Sequence, residues 1–568
     1  MYRYIIKNKG LYSVYAILLV VSSTMSVFFA FVLSEIMNCA AEGNLQRLMR
    51  VLIVGIVFLL VTVFSEFFYG ITKNKLICKA RQDLKHDLFD RILHKNVTDF
   101  ESRNTGDYMN DLQNNLNMYE ELYFNNILQI PMIVFSFFVA VITCIYIKPL
   151  MLLLILVIGG FTALVVKHTG KMLERSTGGY AEQSASYSGE IKDDFRGYRI
   201  ISSYHLYDEI IRRHEQANEK QEKAKEINGN DKTLFLCLNE LAGLTSTVII
   251  MALAAYFAIK GSFTVGIVIA FGQLSGKIIS PIMTASDTWI RFKSSKKLTE
   301  KYMAILHSEE GNHPKREKQA VYGDIRLTNV SLIFNETKGL NNFSAVLKKG
   351  KKYLVVGESG SGKSTLLNII SGMYDEYDGE VMIGDEELKQ VERNSLSHLV
   401  SLASQEVFLF NDTIRNNITL YREYSDEQIH NVLKQCGLEN LIQELPDGLD
   451  TLVGENGSNF SGGEKQRINL ARAFIRDSKI LLLDEVSANL DSVTTDFIER
   501  TVLALVGKTV ISVAHKMPEK LAELYDEVIL PFIFSLATLI FSFRQLFFFG
   551  CMLFKILIIH LPGEKNIW

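Results

Sequence analysis

The chain has 568 residues and a formal charge of −3, so its length predicts several domains and its nearly neutral charge balance points to neither nucleic acid nor an acidic partner. Hydrophobic residues make up 48% and are unevenly spread: long apolar runs fill the N-terminal half, and charged residues dominate from about Ser308 to Asp526. The six cysteines are scattered without a C-x-x-C pair, which argues against a disulfide framework or a cysteine metal site and reads as reduced thiols in membrane or cytosolic surroundings.

The N-terminus is basic (Arg3, Lys7, Lys9), and the uncharged apolar run from Leu11 to Ser34 is too long for a signal-peptide core and long enough to span a bilayer. Further spans are expected at Val51–Thr72, Tyr123–Ile147, Pro149–Val166, Leu241–Ile259 and Gly261–Gly276, about six helices in all. The third and fourth meet at Lys148-Pro149 and the fifth and sixth at Lys260-Gly261, whereas the second-to-third and fourth-to-fifth connections are long and rich in Lys and Arg. The positive-inside bias puts those connections in the cytoplasm. They read as helical extensions: Leu84, Leu88, Ile92 and Leu93 recur among charges at a helical period. Glu66 and Glu240 fall near the cytoplasmic ends of their helices. They either line an inward-facing cavity suited to a cationic or peptide substrate or sit in solvent at the interface.

Residues 308–320 form a polar linker containing Pro and Gly, and the next domain is expected over 321–530. It opens on Ile325–Phe334, which alternates like a strand. The apolar run Tyr353–Val356 then leads into Gly357-Glu358-Ser359-Gly360-Ser361-Gly362-Lys363-Ser364-Thr365. This is the pattern G-x-x-x-x-G-K-[ST] after a strand and before a helix, which cradles nucleotide phosphates. The glycines let backbone N–H groups turn inward, Lys363 reaches the β- and γ-phosphates, and Ser364 offers its hydroxyl to Mg²⁺.

Downstream, Ser461-Gly462-Gly463-Glu464 opens a helical pattern, and the apolar run Ile480–Leu483 ends in Asp484-Glu485. With these stretches the sequence resembles the ATP-binding-cassette (ABC) transporters, the first matching their signature loop and the second their Walker B strand. The implied fold is a polytopic α-helical membrane domain over 1–307 followed by an α/β P-loop ATPase domain. By the same resemblance Asp484 serves Mg²⁺, Glu485 is the general base, Gln405 contacts Mg²⁺ and water, and His515 is the switch histidine. Phe334 takes the place of the aromatic residue that stacks on adenine, with a core phenylalanine as the alternative. Ser487–Asp491 matches the D-loop, Gly454–Gly457 the stretch before the signature, and Asp99–Asp107 and Glu190–Gly197 the two intracellular loops. The signature loop completes the ATP site of an opposite cassette, so a chain with one cassette is half of a homodimer or heterodimer. The function implied is ATP-driven export of a peptide, lipid or amphipathic drug across the plasma membrane, with the ATPase domain cytoplasmic and the substrate unidentified. An importer of the siderophore type and an ATP-gated sensor are the alternatives.

The resemblance ends after Tyr525–Leu530. Residues 531–568 are rich in Phe, Leu and Ile, where the family has a polar turn and a closing helical segment. A frameshift or truncation artefact is the preferred reading of this tail, with a membrane-seeking tail or an extra span as the alternatives.

Overall fold

The computed structural model describes residues 1–307, 318–334, 338–486, 490–514 and 523–529. Most of the expected linker, the Ser487–Asn489 part of the D-loop, His515 and the tail from 531 lie outside the described residues. The chain divides into two compact units, Met1–His94 with Arg103–Glu309, and Lys95–Ser102 with Glu310–Trp568.

The first unit is built on six long helices: α1 (Lys9–Glu42), α2 (Leu45–Leu93), α3 (Asn125–Ile147), α4 (Pro149–Arg196), α5 (Tyr207–Ile259) and α6 (Val265–His307). All six contain stretches long and apolar enough to cross a membrane. At 49 residues, α2 is about 74 Å long, more than twice an about 30 Å hydrocarbon core, so the long connections are continuations of the spanning helices. In its extension Leu84, Leu88 and Ile92 are buried, but Leu93 is 62% exposed because one residue turns the side chain about 100° off the packed stripe. Asn44 caps α2 by accepting from the Arg47 N–H, and Pro149 starts α4, where its missing N–H costs nothing. The sixth helix starts at Val265, because Gly261 takes the left-handed conformation (φ 73°) and turns the chain. It also continues past the expected end at Gly276. The outer face of α2, with Ile53, Val54, Ile56, Val57 and Leu60, is exposed and apolar, as a lipid-facing surface must be. Glu66 and Glu240 are both exposed.

In the second unit, β1 (Ile325–Phe334), β2 (Lys338–Leu347), β4 (Asp378–Ile383) and β5 (Glu386–Glu387) form an antiparallel sheet in the order β2-β1-β4-β5. A parallel sheet has the order β6-β7-β8-β3-β9, with β3 (Lys352–Val356), β6 (Val400–Ala403), β7 (Ile480–Asp484), β8 (Thr509–Ala514) and β9 (Glu527–Ile529). Both faces of the parallel sheet are covered, which explains why its strands read as unbroken apolar runs. Ile480 and Leu482 of β7 pack on one side with α7 (Lys363–Ile370) and the antiparallel sheet. Leu481 and Leu483 point the other way, onto Ile468, Ala471 and Phe474 of α8 (Gly462–Ile475).

Candidate functional site

In an open parallel sheet, ligands bind beyond the carboxyl ends of the strands. Here the loops leaving β3, β6 and β7 carry the predicted residues. The five residues of β3 are all buried, and the loop begins at Gly357. Gly360 and Gly362 adopt φ of 84° and 86°, values that a Cβ resists. At Gly362 space is a second constraint, since a Cβ would lie 2.7 Å from the Gly339 carbonyl oxygen. Gly362 is the N-cap of α7, so the N–H groups of Lys363, Ser364 and Thr365 open the helix with its partially positive end at the loop.

Lys363 is 5% exposed, and its Nζ donates to the carbonyls of Gly357 (2.7 Å) and Glu358 (2.8 Å). Burial lowers its pKa, while the Glu485 and Asp484 carboxylates act in the opposite sense. Ser361 Oγ is buried and has no hydrogen-bond partner among the described residues, a donor that an anion would satisfy. Glu358, Ser359 and Gly360 are exposed, and Ser364 and Thr365 are half-buried.

Asp484 ends β7 opposite Val513 of β8, and Asp484 and Glu485 are both buried. Glu485 sits at φ 50°, a strained value for a residue with a Cβ. Its N–H donates to the Val513 carbonyl at 3.3 Å. Because β6 lies beside β7, Gln405 comes within reach: its Nε2 donates to Glu485 Oε2 at 2.8 Å.

The other predicted residues stand apart from this group. Ser461 is the N-cap of α8 in a capping box, its Oγ accepting from the Glu464 N–H and its own N–H donating to Glu464 Oε2 at 2.7 Å. Among the described residues no hydrogen bond or ion pair joins Ser461, Gly462 or Gly463 to Gly357–Thr365. Asp491 caps α9 (Ser492–Leu503), accepting from the N–H groups of Val493 and Thr494 and from the Thr494 hydroxyl. The Thr494 hydroxyl and these N–H groups hold its carboxyl below the usual range. Phe334 closes β1 opposite Lys338.

Two functional candidates went unnoticed in the sequence. Asn469 Nδ2 on α8 donates to the Ser404 carbonyl at 2.9 Å, just before Gln405. Three residues on, Arg472 donates to the carbonyl of Phe408 (2.5 Å) and to the carbonyl and Oδ1 of Asn417 (2.6 Å each). Burial pulls the Arg472 pKa down to about 10. The helix behind the signature loop thus fastens both ends of the segment carrying Gln405. Their polarity at i, i+3, continuing the buried Gln466 among apolar Ile468, Leu470, Ala471 and Phe474, is the signal that could have found them.

The family described as "ABC transporter transmembrane region" matches residues 12–282, and that described as "ABC transporter" matches residues 340–488, enclosing the loop, Gln405, the signature and Glu485. The chain is an ABC transporter. It is a fused half-transporter of the exporter type, a multi-pass membrane protein whose ATPase domain couples ATP hydrolysis to transport. It is 27% identical to the multidrug resistance-like ATP-binding protein MdlB of Buchnera aphidicola subsp. Schizaphis graminum, over 84% of this chain and 82% of that protein. It is also 27% identical to an ATP-dependent lipid A-core flippase of Francisella tularensis subsp. holarctica, over 84% and 79%. It shares the fold of a bacterial Atm1-family ABC exporter solved with ATP bound: TM-score 0.79, 19% identity, 92% of this chain and 93% of that one. Within the transporter, Asp99–Ser102 of the predicted first intracellular loop, with Lys95–Thr98 just before it, belongs to the unit that holds the ATPase, where Arg393 donates to Asn96 Oδ1 at 3.2 Å.

Proposed function

We propose that Gly357–Thr365 binds the ATP phosphates, that Glu485 is the general base of hydrolysis, and that two such chains form a homodimer exporting an amphipathic lipid, peptide or drug-like molecule. The observation that carries this reading is the convergence of buried Lys363, Asp484 and Glu485 with Gln405 at the carboxyl ends of the parallel strands. Lys363 and the α7 N-terminus neutralise phosphate charge, and phosphoryl transfer demands positioning and charge neutralisation above all. Gln405 Nε2 holds Glu485 Oε2, which orients the carboxylate to accept the proton of the attacking water. Mg²⁺ fits the donor set: the Ser364 hydroxyl, the Gln405 side-chain oxygen and the buried Asp484 carboxylate are hard oxygen donors, and Mg²⁺ is bound by one or two carboxylates plus substrate phosphates. When bound, it neutralises charge on the phosphate oxygens. By family resemblance, His515 orients the γ-phosphate, Phe334 stacks on adenine, and Ser461–Gly463 and Asp491 serve the site across the dimer.

The relatives named for multidrug resistance and for a lipid flippase support an amphipathic substrate, and the Lys/Arg-rich long connections support a cytoplasmic ATPase at the plasma membrane. The test is ATP turnover by the purified chain alone in lipid nanodiscs. Glu485→Gln should lose about 10²–10⁴-fold in kcat with ATP affinity kept, the range for a general base. A mutant turning over within a few-fold of wild type would remove Glu485 from that role. A silent wild type would refute a self-sufficient homodimer of this chain and point to a partner half-transporter or to the atypical cassette end over 531–568.

A further inference from the structure

The six spans contain a feature that ATP hydrolysis does not use. Lys277 is the only charge in the sixth span, Val265–Thr284. α1 and α6 run antiparallel in a register set by two bonds: the Gly266 N–H donates to Asn38 Oδ1 at 2.8 Å, and Lys277 Nζ donates to Ser26 Oγ at 2.5 Å. Glu35, paired with Arg47, marks the end of the uncharged stretch of α1. Ser26 lies about 14 Å along the helix from it at ~1.5 Å per residue, close to the half-thickness of an about 30 Å hydrocarbon core. Lys277 is therefore near the middle of the membrane. Its hydrogen-bond partner is a neutral hydroxyl, and among the described residues no carboxylate pairs with it.

The surface around it is polar. Gln273, Lys277, Ser280 and Thr284 follow helical spacing along one face of α6. Gln273, Ser280 and Thr284 are exposed and Lys277 is half-buried. Beside Lys277 there is room, since a Cβ on Gly276 would meet nothing within 4 Å. Pro281 has no N–H to give the Lys277 carbonyl, so this turn of the helix needs a polar neighbour. Such a face does not suit hydrocarbon, in contrast to the all-apolar outer face of α2. It suits a polar cavity.

We propose that Lys277 is the anion-recognising residue of a substrate site on this face of α6, and that the transported molecule is an anionic amphipath with a phosphate-like or carboxylate headgroup. This deepens the transporter reading above and rests on it. It also reverses the cationic preference that Glu66 and Glu240 suggest, because those acids lie near the helix ends and Lys277 lies at depth.

The experiment uses the full chain in nanodiscs without nucleotide and measures binding of labelled decyl phosphate, with decyltrimethylammonium and glycerol 3-phosphate as competitors. Wild type should bind decyl phosphate. Lys277→Met should raise its Kd about tenfold or more, the scale for removing one partner of a buried charge pair. Lys277→Arg should restore binding to within a few-fold, which a loss of folding could not do. Equal Kd values for wild type and Lys277→Met, or stronger competition by the ammonium compound, would overturn the proposal. Competition by glycerol 3-phosphate as strong as by unlabelled decyl phosphate would overturn the amphipath in favour of a soluble anion. Glu485-dependent turnover with charge-indifferent binding would sink this assignment alone. Lys277-dependent binding without any Glu485-dependent turnover would sink the hydrolytic reading instead.

Discussion

Asn469→Ala tests whether the signature helix acts on hydrolysis through the segment that carries Gln405. The substitution removes one neutral hydrogen bond, Asn469 Nδ2 to the Ser404 carbonyl at 2.9 Å, from a side chain only 6% exposed. Its net worth is about 0.5–1.5 kcal/mol. Ser404 is half-buried, so water replaces part of what is lost. The neighbouring Gln405 then holds Glu485 less firmly. If that energy is expressed in the transition state, kcat falls about 2- to 10-fold, since 1.36 kcal/mol is a factor of ten. KM for ATP should not move, because Lys363 and the α7 N-terminus are untouched. Steady-state turnover in nanodiscs across ATP concentrations reads both constants. Asn469→Asp should fall further, since it sets an acceptor against an acceptor. A kcat equal to wild type, or a loss carried by KM, would refute the reasoning and leave Asn469 as a core residue.

Gly362→Ala should abolish ATP binding in a nucleotide-binding assay, since φ is 86° and the new Cβ would lie 2.7 Å from the Gly339 oxygen; retained affinity would show that the loop relaxes freely. Arg472→Met leaves the fully buried Asn417 short of partners, and the charged hydrogen bonds lost should cost about 2–4 kcal/mol. That loss is read as a lower unfolding midpoint for the ATPase signal, and an unchanged midpoint would refute it. Asp526 accepts from Lys351 Nζ (2.6 Å) and from the Lys352 N–H (2.8 Å), which hold its carboxyl below the ordinary value. With the folded pKa depressed, its contribution is fully present above about pH 4 and is lost as pH falls through the folded value. Wild type should therefore be more stable than Asp526→Asn at pH 7, with the gap closing below about pH 4. A gap that widens on acidification would contradict the assignment.

Features that depend on local chain chemistry were legible from the sequence. The six crossings follow from apolar runs longer than the bilayer core, and the phosphate loop follows from glycines and a lysine at set spacing, because each is complete within about twenty residues. The buried strands were legible for the same reason, since a strand covered on both faces has no polar alternation to lose. Leu93 shows the limit of periodicity: it belongs to the apolar set by type, yet it turns away from the packed stripe.

What only the tertiary structure decided is which distant residues meet. Gln405 and Glu485 are 80 positions apart, and the parallel pairing of β6 with β7 brings them into hydrogen-bonding distance. Asn469 and Arg472 look like ordinary helix residues until α8 packs under the sheet and aims them at the carbonyls of Ser404 and Phe408. Lys277 sits at the edge of an apolar run, where composition ends the span at Gly276. Backbone hydrogen bonding carries α6 on to His307, and antiparallel packing against α1 sets the lysine at the level of Ser26, deep in the membrane. A sequence specifies which side chains are available and how often they recur along a helix or strand. Depth, pairing across the sheet and the partner of a buried donor depend on packing between segments far apart in the chain.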